Sequence, residues 1–264
     1  MTRVADLAEL VRAPAALSVP GDVIAGAAAA GTLGPRTPAL AAASVLLYWA
    51  GMAANDWADR RLDAVERPER PIPSGRVSPR VAVGLAAGLT VAGVGLAAAA
   101  GGRGSVAVAL PLAAAVWGYD LAAKNTAAGP AVMATCRGLD VLLGAGCRPV
   151  RALPAAGTVA AHTWTVTVLS RREVHGTDAV LPLGTLAGTA LVAASAARPP
   201  RPPRPGAGRR AVGAVAATLP AVLAGWYAAR YGGAQARWSP DPPPTGSARR
   251  SAPASPACPP CRAR

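Results

Sequence analysis

Apolar and polar positions follow one another in long blocks from residue 14 to residue 231. A helix needs about 20 apolar residues to cross the hydrocarbon core of a bilayer, and most of the apolar blocks are near that length. The short polar stretches between them are suited to loops. The predicted membrane spans are 14–33, 37–55, 78–100, 104–120, 129–147, 153–169, 178–197 and 211–231. The pattern predicts an all-α integral membrane protein, a multi-span helical bundle.

The first thirteen residues have a different pattern. Val4, Leu7 and Val11 fall on one helical face, with Leu10 nearby. The segment contains acidic residues and no compact apolar core before a cleavage site, so it is not a signal peptide. We expect residues 1–13 to form an interfacial helix that precedes a transmembrane domain at 14–231.

Residues 232–264 are rich in Pro, Ser and Arg and poor in apolar residues, and we expect them to be disordered. A shifted reading frame in a GC-rich gene and the genuine loss of a helix would both give such a tail. Cys258 and Cys261 have C-x-x-C spacing, which is weak evidence for redox or metal chemistry in a disordered tail. Cys136 and Cys147 are most simply core residues of the fifth span.

Composition supports the membrane interpretation. The chain is 52% hydrophobic and 15% charged, whereas an ordinary soluble domain is about 25% charged. The net charge of +14 comes from arginines in the loops and in the tail, which form no basic face. Nucleic acid is therefore not an expected partner, and membrane lipid is.

The most informative polar cluster lies at the end of the second span. Asn55, Asp59 and Asp63 are four residues apart on one helical face, with Asp56 beside them. Like charges at this spacing repel one another, and near a membrane they are costly to desolvate. A cation would neutralise them, and hard oxygen ligands suit Mg²⁺, which commonly binds together with a phosphorylated substrate. The alternative is a helix end whose charges face water.

A second group of rare residues follows the fourth span. Lys124 is the only lysine among 27 basic residues, and Asn125 is one of two asparagines. A lysine ammonium is a compact point charge that suits a phosphate. Tyr119 and Asp120 lie in the same stretch. The alternative for Lys124 is a topology anchor at the cytoplasmic surface.

Charge also predicts the topology. If the loop at 56–77 is cytoplasmic, then 120–128 and 170–177 are cytoplasmic too, and these loops carry many basic residues, in line with the positive-inside tendency. The Arg-rich segment 198–210 would lie outside and conflicts with that tendency. We expect a multi-pass protein of the cell membrane with its polar loops in the cytoplasm.

The motifs together resemble the UbiA-type family of intramembrane prenyltransferases. The resemblance rests on Asn55-Asp56-x-x-Asp59-x-x-x-Asp63, on the stretch from Arg67 to Gly75, and on Tyr119-Asp120-Leu-Ala-Ala-Lys124 with Gly129. It covers roughly residues 10–235. It implies eight to nine transmembrane helices around a central cavity, two Mg²⁺ ions that hold a prenyl diphosphate, and transfer of the prenyl group to an acceptor.

The resemblance also implies roles for individual residues. Asn55, Asp56 and Asp59 would hold the first Mg²⁺ and the diphosphate, with Asp63 in support. Lys124 would steady the diphosphate and join Asp56 and Asp59 as a catalytic residue. The remaining substrate-binding residues would be Arg67 and Arg70 of the covering loop, Tyr119, Asp120, Arg171 and Glu173.

The loop after the sixth span departs from the family pattern. The family has a second aspartate-rich motif there, whereas in residues 170–178 only Glu173 stands where a metal carboxylate is expected. Arg171, Arg172 and His175 could supply positive charge in place of a second Mg²⁺, although an ordinary loop histidine is the favoured explanation for His175. The chain is similar to a divergent bacterial branch of the family.

Three ionisable residues fall within predicted spans. Asp22 is either a helix cap near the interface or a functional group. Arg137 and Asp140 are three residues apart in the fifth span, and they form either a structural ion pair or part of the lining of an acceptor cavity.

Three functions compete at this stage. The first is Mg²⁺-dependent transfer of a prenyl group from a prenyl diphosphate to an unidentified acceptor. The second is a weak or inactive homologue that carries a prenyl lipid or metabolite. The third, a CDP-alcohol phosphotransferase, lacks the D-G-x-x-A-R segment that it would need.

Overall fold

The computed structural model describes residues 2–175 together with 221–222, 224–226 and 228–232. Every regular element in these ranges is helical. The α-helices are α1 (Val4–Leu10), α2 (Val19–Ala30), α3 (Thr37–Glu66), α4 (Pro79–Gly118), α5 (Gly129–Ala145) and α6 (Pro149–His175). A 3-10 helix at Ala13–Ser18 precedes α2, and π-helical turns occupy Tyr119–Ala123 and Ala228–Gly232.

Proline and glycine mark the helix ends. Proline lies in the first turn of α2, α3, α4 and α5, where its missing N–H and fixed φ suit a helix start. Gly31 follows α2 with φ +68°, and Gly146 follows α5 with φ +57°. These left-handed conformations end a helix at little cost only when the residue has no Cβ.

Helix α4 is a hairpin of two helical arms. Its 40 residues would extend about 60 Å if straight, twice the thickness of the bilayer core. Instead Gly102 adopts φ 63° and ψ −153°, and the Trp117 indole N–H donates to the Thr90 hydroxyl at 3.0 Å. Residues 27 positions apart can meet only if the chain folds back. The two separate spans predicted at 78–100 and 104–120 are therefore confirmed as helices.

The bundle core is made of leucine and small residues. Leu47, Leu112 and Leu143 are fully buried within it. Helices α2 and α5 approach closely, because Gly26 lies against the backbone of Val141 and Gly144 lies against the backbone of Val23. Small residues allow such close approach between helices in lipid.

The first six predicted spans each correspond to helical structure, and the last two lie outside the described residues apart from short stretches. Within the part of the chain that the structure describes, three helical segments are long and apolar enough to cross a membrane, Ala13–Ala30, Thr37–Glu66 and Pro79–Ala123. Helix α3 continues to Glu66, well beyond the predicted end at residue 55. The aspartates that follow the apolar run are therefore held on a rigid helix.

The N-terminal helix α1 forms, and most of its predicted apolar face packs against the bundle. Leu10 and Val11 are buried and Leu7 packs beside them, whereas Val4 is 84% exposed. Arg76 ties α1 to the loop after α3 through contacts of 2.9 Å to Asp6 and 2.6 Å to Glu9. The Arg76 guanidinium lowers the pKa of Glu9, and the backbone N–H of Arg3 followed by Arg76 lowers the pKa of Asp6.

The expectation that both cysteines of the fifth span are core residues is half wrong. Cys136 is buried inside α5, but Cys147 lies beyond the end of that helix and is exposed. Gly146 turns the chain away from the helix axis, which places the next residue at the bundle surface.

Candidate active site

The C-terminal half of α3 carries the acidic face that its four-residue spacing predicts. Asp56 and Asp63 are only 4% and 3% exposed. Buried carboxylates are stable only when paired. Each of the α3 aspartates contacts a basic side chain from another part of the chain.

Two arginines pair with Asp56 and Asp63. The Arg12 guanidinium, from the turn after α1, donates to Asp56 at 2.7 Å. Arg70, from the loop after α3, donates to Asp63 at 2.7 Å and to Asp56 at 3.4 Å. Because Arg70 bridges carboxylates two turns apart, it fixes the following loop against the helix.

The π-helical turn at Tyr119–Ala123 supplies the third cation. The backbone N–H of Lys124 bonds the carbonyl of Tyr119 at 2.9 Å, and this wider turn brings Lys124 toward α3. The Lys124 ammonium lies 2.6 Å from an Asp59 oxygen. An ammonium carries three N–H donors, so the ion pair with Asp59 does not use all of them.

Asp120 differs from the other carboxylates. It is 6% exposed and accepts a hydrogen bond of 3.1 Å from the Asn55 side chain. Among the described residues its partner is therefore a neutral amide, and no ion pair involves it. An unneutralised buried carboxylate beside an amide oxygen is an arrangement that a hard cation would stabilise.

The start of the third polar loop reaches the same end of the bundle. Arg171, near the end of α6, donates to the backbone carbonyl of Thr126 at 2.6 Å and to that of Lys124. The beginnings of the loops predicted at 56–77, 120–128 and 170–177 therefore lie together. This supports the prediction of one shared site, while its cytoplasmic orientation stays a prediction.

A cavity of about 240 Å³ opens beside the acidic face. It runs from Arg12, Asn55 and Asp120 to Tyr48 and Cys136. Gly51 forms part of its wall, and a Cβ there would lie 3.1 Å from an Asp120 oxygen. The cavity joins the charged end of the bundle to its interior. Its lining residues are Arg12, Tyr48, Gly51, Met52, Asn55, Val116, Tyr119, Asp120, Met133 and Cys136.

Beyond the inner end of the cavity lies a second group of polar residues. Arg137 of α5 lies 2.8 Å from Asp22 of α2, and the Ser44 hydroxyl donates to Asp140 at 2.5 Å. The predicted pairing of Arg137 with Asp140 is therefore wrong. The long arginine side chain reaches across to the neighbouring helix, and Asp140, although three residues away, points to α3.

Residues 18–179, more than half of the chain, match the sequence model of the UbiA prenyltransferase family. The chain belongs to this family. The predicted resemblance is thus confirmed, and the members of the family and the relatives named below are prenyltransferases.

The similar regions of curated UbiA relatives are short. The chain is 47% identical over 85 residues to a digeranylgeranylglyceryl phosphate synthase of Natronomonas pharaonis, covering 31% of each chain. It is 33% identical over 139 residues to the bacteriochlorophyll synthase 33 kDa chain of Cereibacter sphaeroides, covering 51% of this chain and 44% of that one. The matches span less than half the length of these relatives.

A solved structure, from work on digeranylgeranylglyceryl phosphate synthase in membranes, shares the fold. The TM-score is 0.67, with 15% sequence identity, over 89% of this chain and 94% of that one. At this identity the likeness shows the fold alone, a membrane helical bundle.

The structure brings together most of the site residues that the sequence predicts. Their common neighbourhood contains Asn55, Asp56, Asp59, Asp63, Arg70, Tyr119, Asp120, Lys124 and Arg171. Arg67 is exposed and ends α3 without joining the ion-pair group. The side chains of Arg172, Glu173 and His175 lie outside the described part of the chain.

Arg12 is the residue that sequence reasoning missed. The signal was a basic residue directly before the first apolar run, which is also where a topology anchor would lie. Only the turn at Arg12, with φ 45°, directs the chain so that its guanidinium reaches Asp56.

The carboxylate and amide oxygens of this site are the ligands that would have to hold Mg²⁺. In the described part of the chain, no three His, Cys, Asp or Glu side chains converge as a complete metal centre. Mg²⁺ usually takes only one or two carboxylates together with phosphate oxygens, so a complete protein cage is not required. The oxygen ligands on α3 and the unneutralised Asp120 fit such a shared site.

Proposed function

We propose that this protein transfers a prenyl group from a prenyl diphosphate to an acceptor within the membrane. The observation that carries the proposal is the acidic face of α3, held by Arg12, Arg70 and Lys124 at the mouth of a cavity. UbiA family members are prenyltransferases and generally use Mg²⁺ through aspartate motifs. The curated relatives are named for a prenylated glyceryl phosphate and for a bacteriochlorophyll.

Asn55, Asp56, Asp59 and Asp63 would hold Mg²⁺, and Glu173 is proposed as a further metal ligand. When bound, the metal supplies positive charge to the diphosphate. Lys124 adds a second source of charge, since its ammonium carries three N–H donors and the ion pair with Asp59 does not use all of them. As the allylic C–O bond breaks, negative charge grows on the leaving diphosphate, and these fixed cations stabilise it.

The ion pairs also explain how the acidic face is stable before substrate binds. Arg12 and Arg70 neutralise Asp56 and Asp63 in this structure. Arg70 lies on the loop after α3, and its side chain is 18% exposed. It can therefore exchange a carboxylate partner for a phosphate oxygen at the mouth without unfolding the helix. Substrate-binding roles for Arg67, Tyr119, Asp120 and Arg171 are proposed on the same basis of position.

The reaction also requires an apolar space that excludes water, and the cavity provides it. Its walls include Val116, Met133 and Gly51, which place apolar surface beyond the charged mouth. An allylic cation formed there is kept from water. The new bond forms between the allylic carbon and the acceptor nucleophile, and the nucleophile's proton is released.

The test is a reconstitution assay with purified protein in lipid vesicles. Prenyl diphosphates of several chain lengths are supplied with Mg²⁺, and diphosphate release is measured. Asp59→Asn removes one charge without changing size, and we expect release to fall by about 100-fold or more. Glu66→Gln removes an exposed carboxylate from the same helix and should leave release unchanged.

A carrier function is the second candidate, favoured by the carboxylates being already paired with protein cations. The same vesicles distinguish the two. A carrier would bind prenyl diphosphate and release no diphosphate under any condition. Release that is equal in the wild type and in Asp59→Asn would contradict the proposed active site.

A further inference from the structure

The group of polar residues beyond the cavity is the strongest unexplained feature of the structure. We call Asp22, Ser44, Tyr48, Arg137 and Asp140 the inner polar cluster. They come from three helices, α2, α3 and α5, and Tyr48 also lines the cavity. The Arg137 guanidinium lies 5.9 Å from the centre of the Tyr48 ring, so the cluster reaches the cavity wall.

Two polar atoms of this cluster are buried without a hydrogen bond or an ion pair among the described residues. They are one carboxylate oxygen of Asp140 and the Tyr48 hydroxyl. The buried Asp22 oxygen, in contrast, is paired with Arg137 at 2.8 Å. Asp140 is 0% exposed. An unsatisfied buried polar group is unfavourable, and native structures retain few of them. Two such atoms in one cluster indicate that a ligand completes the hydrogen bonding.

The hydrogen-bonding chemistry of these atoms limits the charge and the functional groups that the ligand can have. The carboxylate oxygens can only accept when ionised, and the hydroxyl can accept or donate. One cation, Arg137, faces two carboxylates, so the cluster has no surplus positive charge for an anion. A ligand that supplies O–H donors and carries no negative charge satisfies the Asp140 oxygen and the Tyr48 hydroxyl together.

The space is also suited to a small polar group. Tyr48 and Cys136 mark the end of the cavity nearest the cluster, and Asn55 and Asp120 mark the diphosphate end. A volume of about 240 Å³ corresponds to roughly eight water molecules at ~30 Å³ each, enough for a head group of a few non-hydrogen atoms. One cavity therefore connects the reacting end of the proposed site to the inner polar cluster.

We propose that the inner polar cluster anchors the acceptor through an uncharged, hydroxyl-bearing group. This inference rests on the proposed function, because it assigns the second substrate of that reaction to a place in the fold. The cluster residues are positioning residues. They hold the acceptor so that its nucleophile faces the allylic carbon at the other end of the cavity.

The experiment measures binding of two probes that differ only in head group. Purified protein in lipid nanodiscs is incubated with 1-O-octylglycerol or with octyl phosphate, and the bound fraction is read by native mass spectrometry. Octyl phosphate is attracted to the cations at the cavity mouth, so its binding should be the same in the wild type and in the cluster variants. Binding of the glycerol probe should instead depend on the cluster. Tyr48→Phe and Asp140→Asn should each weaken binding of the glycerol probe by about fivefold or more.

Ser105→Ala is the matched control. The Ser105 hydroxyl is also buried and lacks a hydrogen bond among the described residues, but it belongs to α4 and does not line this cavity. Its removal should leave binding of the glycerol probe unchanged. Tyr48→Phe is a conservative change, so the test stands even if Asp140→Asn does not fold.

The outcomes separate the two proposals. Unchanged glycerol binding in Tyr48→Phe, or octyl phosphate binding that falls as much as glycerol binding does in that variant, overturns the inner site even if prenyl transfer is found. Cluster-dependent glycerol binding without any release of diphosphate supports the inner site and contradicts the proposed reaction.

Discussion

The close contact between α2 and α5 can be tested by adding one methyl group. Gly144 faces the backbone of Val23, and a Cβ at Gly144 would lie 2.6 Å from the carbonyl carbon and 2.8 Å from the Cα. Ordinary van der Waals contact begins near 3.4 Å. Backbone atoms cannot rotate away as a flexible side chain can, so Gly144→Ala must push the two helices apart.

The size of the effect follows from that geometry. The helices must separate locally by at least about 0.8 Å (3.4 Å minus 2.6 Å) to relieve the contact with the Val23 carbonyl carbon, and by more than that because the carbonyl oxygen lies nearer still. Overpacking of this kind costs typically about 1–3 kcal/mol, and the better helix propensity of alanine offsets up to about 1 kcal/mol. Asp22 precedes Val23 directly, so its 2.8 Å contact with Arg137 should lengthen as well.

The assay is thermal unfolding of purified protein in detergent, followed by size-exclusion chromatography. Gly144→Ala should lower the unfolding midpoint. Gly138→Ala is the control on the same helix, since a Cβ there meets Ala160 at an ordinary 3.5 Å. A midpoint for Gly144→Ala that equals or exceeds that of Gly138→Ala would refute the close backbone contact.

Three further predictions concern the site and its surroundings. Lys124→Ala should weaken binding of prenyl diphosphate and Lys124→Arg should restore only part of it, whereas full recovery by arginine would leave Lys124 as a topology anchor. In a variant without the two tail cysteines, native Cys147 should react with an impermeant thiol reagent in intact cells. Thr126→Cys should react only after the cells are lysed, and labelling at position 126 in intact cells contradicts the predicted topology. Arg76 lowers the pKa of Glu9, so its stabilisation of α1 is present above the ordinary pKa and lost as pH falls through the lowered one. The protection factors of the α1 amides, which correct for the intrinsic pH dependence of hydrogen exchange, should fall in the wild type as the pH drops below the ordinary carboxyl pKa and be low already at pH 7 in Arg76→Ala. Equal protection factors in both proteins at pH 7 contradict this link.

The sequence determined the features that depend on local spacing. Four-residue intervals placed Asn55, Asp59 and Asp63 on one face before any contact was known, because helix geometry is the same wherever a helix forms. Apolar blocks likewise predicted helices on both sides of Gly102. A break of only a few polar or small residues was enough to indicate that the chain turns back there.

The tertiary structure decided which charges meet. Arg12 is 44 residues from Asp56, and Arg137 passes over nearby Asp140 to reach Asp22. Such pairs depend on where helices cross and on how far long side chains extend, and neither property repeats with a local period. The crossing itself is set by Gly144 against the backbone of α2. The sequence alone does not show which glycine makes a close helix contact, because the absence of a Cβ matters only where another backbone occupies the space.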